Sequence, residues 1–199
     1  MSTPQSMPRP ARPVARREAA TTSAGLVGVA TAFAVGAAVS IGLGVYGRLH
    51  KPTGVAVNLA GFSSPVAVKA WLATVAFLFA LFQLASALVM YGKVPGVRAP
   101  AWIGLAHRWS GRIAVLVSVP VAVQCLYALG FQSFGMRGLV HSVLGCFLYG
   151  AFTAKMLILS RRQTPAWALP LAGGMVFAAF VGLWLTAGLW FFRTFGLTL

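Results

Sequence analysis

LVHSVLGCFLYGAFTAKMLIL, the stretch Leu139–Leu159, decides the fold. It is an apolar run close to the roughly 20 residues a helix needs to cross the hydrocarbon core of a bilayer. It contains no carboxylate, and its only strong charge is Lys155. Four further apolar runs of comparable length, about residues 25–47, 66–91, 107–130 and 167–192, flank it on both sides. Short polar, Gly- or Pro-containing segments separate them, the longest being Arg48 to Pro65. Short connections make consecutive helices antiparallel neighbours. The pattern predicts an all-α membrane protein, an up-down bundle of five transmembrane helices occupying residues 25–195.

Composition agrees with the runs. Of 199 residues, 59% are hydrophobic and 9% charged, against a charged share of about 25% in soluble domains. Sixteen basic residues face a single acid, Glu18, in the N-terminal region. With no Asp or Glu in any span, carboxylate proton relays, two-carboxylate glycosidases and oxygen-ligand Ca²⁺ or Mg²⁺ sites are excluded. No hydrolase or transferase signature is present. The basic residues lie in short flanks between apolar runs, where they read as topology signals and lipid contacts rather than as a nucleic-acid surface. Residues 1–24, with Pro4, Pro8, Pro10, Pro13 and Arg9, Arg12, Arg16 and Arg17, read as a disordered basic cytoplasmic tail.

If that tail is cytoplasmic, the same side receives Lys93, Arg98, Arg108, Arg112, Arg161 and Arg162. The other side receives only Arg48, Lys51, Lys69, Arg137 and Arg193. The excess places the N-terminus inside and the C-terminus outside. The expected location is a bacterial cell (plasma) membrane, crossed several times.

The chain has three histidines, His50, His107 and His141, and two of them open the pattern His-x-x-x-Gly: His107-Arg-Trp-Ser-Gly111 and His141-Ser-Val-Leu-Gly145. A residue four positions on lies one turn along the same helical face. An imidazole followed there by a glycine can ligate a metal while leaving room for a flat macrocycle, so haem is the first cofactor to consider. Antiparallel topology puts His107 and His141 at opposite ends of neighbouring spans, on the order of 30 Å apart. They cannot hold one iron between them.

His50 follows the first span on the same side as His141, which makes a His50–His141 haem ligand pair geometrically feasible. His107 has no histidine partner. It is accompanied by Arg108 and Arg112, one turn apart, which could meet haem propionates or a quinone head group. Both also fit plain positive-inside anchoring. Lys155 shares the His141 face but lies about 21 Å deeper, near the level of His107. It needs an anionic partner or must extend to the interface. The face from His107 runs Gly111, Ala114, Ser118, Val121 and Cys125, a small-residue stripe suited to a prosthetic group or to close helix packing. Cys125 and Cys146 lack the spacing of a zinc or thioredoxin motif.

His141-Ser-Val-Leu-Gly145, with His107 34 residues upstream, resembles the cytochrome b561 class of transmembrane electron carriers. The resemblance covers roughly spans two to five. It implies a four-helix core that binds b-type haem and moves electrons across the bilayer. That family's core carries four histidines, whereas span two begins Pro65-Val-Ala-Val-Lys69 and span five begins Pro165-Ala-Trp-Ala-Leu, neither with a ligand. The histidine count therefore supports one haem better than two. The whole chain, with Gly44-Val-Tyr-Gly-Arg48-Leu-His50, Gly61-Phe-Ser-Ser-Pro65, Lys69-Ala-Trp71 and Cys125-Leu-Tyr-Ala-Leu-Gly-Phe-Gln132, also looks like a bacterial five-span family without an assigned activity.

The expected function is an integral membrane electron-transfer protein, an oxidoreductase component that passes electrons to or from a quinone or a redox partner protein. Its site residues would be His50, His107, His141, Gly111, Gly145, Arg108, Arg112 and Lys155. The alternative is a non-catalytic membrane subunit or assembly partner of a larger complex, with structural histidines.

Overall fold

The computed structural model describes residues 14–161 and 163–199. These form helices α1 (Val14–Leu49), α2 (Pro65–Met90), α3 (Ile103–Val123), α4 (Gly135–Leu159), α5 (Ala168–Leu183) and α6 (Leu189–Phe195). A π-helical turn, Gln124–Leu129, extends α3, and a second, Trp184–Gly188, joins α5 to α6. Five continuous stretches are thus long and apolar enough to cross a membrane: Ser23–Leu49, Pro65–Met90, Ile103–Leu129, Gly135–Leu159 and Ala168–Phe195. No strand occurs among the described residues. The two faces of the bundle are called here the N-face, where α1 starts, and the C-face, where the fifth span ends.

Local chemistry sets the element ends. At α2, Ser64 caps the helix by accepting from the Ala67 N–H at 3.2 Å, and Pro65 occupies the first turn, where no N–H is needed. Helix α1 begins earlier than the apolar pattern alone indicates. Residues 14–24, expected in the tail, continue the helix because Arg16, Arg17, Glu18, Ala19 and Ala20 are strong helix formers. The rest of the expected tail, residues 1–13, lies outside the described residues. Pro120, inside α3, leaves the Leu116 carbonyl without its usual donor, and the wider turn follows at Gln124.

Packing departs from chain order. Helix α1 seats on α4, α4 on α5, and α2 on both α3 and the fifth span. Two consecutive pairs, α1 with α2 and α3 with α4, lack close backbone packing, contrary to the expectation that sequence neighbours pack. The long connection after α1 lets that helix reach α4, where small residues admit it. A Cβ at Gly36 would lie 2.5 Å from the Gly150 carbonyl oxygen, and one at Gly150 would run into Ser40 Oγ. Close approach of this kind is how membrane helices gain van der Waals contact where hydrocarbon surrounds them.

The central core follows the same rule. Ala76, Ala80, Ala114, Leu148, Ala151, Val176, Ala179 and Phe180 bring α2, α3, α4 and α5 together at mid-bundle. Toward the C-face the four diverge around a cavity.

Candidate functional site

The cavity has a volume of about 660 Å³ and draws its walls from α2, the third span, α4 and the fifth span. Its walls are largely apolar, and their polar side chains include Lys69 from α2, Ser118 and Cys125 from the third span, Gln132 from the connection that follows it, and Arg137, His141, Ser142 and Tyr149 from α4. Both π-helical turns contribute, through Cys125, Leu126 and Leu129 and through Trp184 and Ala187. Such turns redirect side chains and recur at functional sites.

His141 Nδ1 lies 3.0 Å from Thr186 Oγ1, while Nε2 makes no hydrogen bond. No buried side-chain nitrogen or oxygen lacks a partner among the described residues, so the unbonded Nε2 is accessible, on a residue that lines the cavity. Arg137 stands one turn before His141, donates to the Thr186 carbonyl at 3.0 Å and covers the Trp190 ring at 4.0 Å. Lys69 and Arg137 are both within electrostatic reach of the imidazole. At the inner end of the cavity, Ser118 Oγ and Tyr149 Oη are 3.0 Å apart. Trp184 is fixed as a wall by donation to Thr74 Oγ1 at 3.0 Å and by stacking on Phe77.

The two His-x-x-x-Gly motifs prove unlike. Gly145 lines the cavity, and a Cβ there would meet nothing nearer than Leu183 Cδ2 at 4.0 Å. Gly111 instead makes room for a side chain, since a Cβ there would lie 2.9 Å from Gln83 Oε1. Gln83 donates to the His107 carbonyl and, at 2.8 Å, to Ser110 Oγ, while His107 Nδ1 lies 2.7 Å from Ser86 Oγ. His107 thus belongs to a polar seam between α2 and α3. The space beside it that a macrocycle would need holds Gln83.

His50 is also engaged. Its Nε2 donates to the Tyr127 carbonyl at 3.0 Å, and its ring is stacked between Tyr46 and Tyr127. Thr53 N and Gly54 N cap the Tyr127 and Ala128 carbonyls beside it. The His50 ring does not line the cavity, so the structure does not assemble the expected His50–His141 pair there. The C-face ends of the first and third spans are tied together by His50 instead. Gly130 makes the closure feasible: its φ of +68° suits glycine, and a Cβ would lie 3.0 Å from the Gly47 carbonyl oxygen.

Arg108 and Arg112 are exposed, with Arg112 lying 5.0 Å from the Trp109 ring centroid. Lys155 is half-buried near His107 and away from the cavity. Cys125 and Cys146 are free thiols, and both line the cavity. No group of three or more His, Cys, Asp or Glu side chains that could hold a metal ion occurs among the described residues. Sequence reasoning took Lys69 and Arg137 for topology charges only. The spacing of Arg137, four residues before His141, carried a signal of a shared face, whereas Thr186 and Gln83 reach their histidines through tertiary contacts that no local pattern announces.

The arrangement places one imidazole and two cations, Lys69 and Arg137, on the wall of a largely apolar cavity. Residues 29–199 match a family of unknown function, DUF6529. No curated protein and no solved structure matches the chain.

Proposed function

We propose that this chain, which belongs to the family of unknown function DUF6529, is an integral membrane electron-transfer protein that holds one b-type haem in its C-face cavity. The observation that carries the reading is the accessible, unbonded Nε2 of His141, a residue lining a largely apolar cavity whose nearby charges, Lys69 and Arg137, are both positive. The donor set fits the group. His141 would supply a ligand nitrogen, Lys69 and Arg137 the counter-charge for propionates, and Gly145 leaves cavity space unfilled. Bound there, haem would supply one-electron Fe(III)/Fe(II) chemistry.

The protein's own share is position, dielectric and access. Apolar walls keep water from the imidazole and strengthen its electrostatic coupling to Lys69 and Arg137. Trp184 and Phe77 make one wall rigid. Electrons would pass to or from a quinone or a redox partner protein, in the plasma membrane of a bacterium. The resemblance to cytochrome b561 proteins over roughly spans two to five, carried by the His107 and His141 motifs, supports this reading.

The visible spectrum of the purified protein, oxidised and then reduced with dithionite, tests it. A haem band is expected, lost in His141→Ala and retained in His50→Ala and His107→Ala. Colourless protein from cells with ample haem would reject the proposal. That result would favour a non-catalytic membrane subunit, a reading supported by the helix-to-helix bonds that engage His50 and His107.

A further inference from the structure

We propose that Thr186 is a positioning residue that fixes His141 as the Nδ1–H tautomer and thereby makes Nε2 the ligating nitrogen of the cavity. The inference rests on the haem reading for its use, but not for its geometry. Thr186 Oγ1 lies 2.7 Å from the Gly182 carbonyl oxygen and 3.2 Å from that of Leu183. Neither carbonyl can donate, so the hydroxyl proton points at them; two oxygens 2.7 Å apart with no proton between them would repel. The hydroxyl is left only lone pairs for His141 Nδ1, 3.0 Å away. Nδ1 must therefore carry the proton, and Nε2 keeps the lone pair that ligation requires.

The same residue serves the cavity twice. Its backbone carbonyl accepts from Arg137, which is thereby held over Trp190 one turn before His141. Thr186 sits in the second π-helical turn, so a single widened turn of the fifth span orients an imidazole and a guanidinium of α4. The protein contains its own comparison. At His107, Ser86 Oγ lies 2.7 Å from the Phe82 carbonyl oxygen and 2.7 Å from His107 Nδ1, which imposes the same tautomer. His50 has the opposite one, because its Nε2 faces the Tyr127 carbonyl. Of the three, only His141 lines the cavity.

NMR of the histidine ring nitrogens, recorded on the full chain in detergent at alkaline pH with His141→Gln to assign its signal, tests the proposal. His141 and His107 are expected as Nδ1–H and His50 as Nε2–H. Thr186→Val should release His141 alone from its tautomer and lower haem affinity by roughly 10- to 100-fold, and Thr186→Ser should restore both. An Nε2–H tautomer for His141 in the unsubstituted protein would overturn the proposal whether or not Thr186→Val folds, and so would a Thr186→Val protein with an unchanged His141 signal. Nδ1–H at His141 in a protein that binds no haem would uphold the Thr186 assignment and defeat the haem reading alone.

Discussion

At the scale of single residues, the paired glycines separate two environments that look alike in sequence. Gly111→Val would press on Gln83, whose amide bonds both Ser110 and the His107 carbonyl. A loss of about 1–3 kcal/mol is expected from such overpacking, read as a lower thermal midpoint and partly relieved by Gln83→Ala. Gly145→Leu has open cavity before it. The expected result there is a folded protein whose haem band is lost, because the side chain fills the space the ring would occupy. His50→Ala removes a hydrogen bond and two ring stacks. It should cost stability on the order of 1 kcal/mol while leaving the haem band in place. The sequence showed His141 as a candidate and gave Arg137 the right spacing, but it offered the same pattern at His107. The difference lies in Gln83, 24 positions from His107 in the chain.

At the scale of elements, the two π-helical turns and the α1–α4 crossing do most to shape the site. Removing one residue from Gln124–Leu129 should restore regular α-helical winding and turn Cys125 and Leu126 away from the cavity walls they now form. The expected outcome is an unchanged helical circular dichroism spectrum with loss of haem binding. At the crossing, Gly150→Leu would place a bulky side chain where Ser40 and the Gly36 carbonyl already sit. Helix α1 should separate from α4, which a cysteine cross-link between the two helices would report as lost. Helix extents were largely legible because apolar length is local information. The π-helical turns were not: Pro120 marks a weak point in α3, but the turn itself starts at Gln124 and is secured by the 50–54 segment of another connection.

At the scale of the whole molecule, five spans put the start of the first span and the end of the fifth on opposite faces of the bundle. The positive-inside tally predicts that a C-terminal reporter is exposed outside the cell and an N-terminal one is not; reporter fusions at both ends check this, and the reverse result would invert the orientation without altering the bundle. The sequence by itself determined that this chain is a helical membrane protein and where its spans lie. Apolar runs of bilayer length without carboxylates have no other way to satisfy their backbone polar groups in hydrocarbon. Only the tertiary structure decided which helices meet, and therefore which histidine opens on a cavity. Helix association in a bilayer depends on the fit of small-residue surfaces and on interhelical hydrogen bonds, not on apolar burial. Surfaces such as Gly36 with Gly150, and partners such as Gln83 with His107 or Thr186 with His141, become neighbours only when the chain is folded.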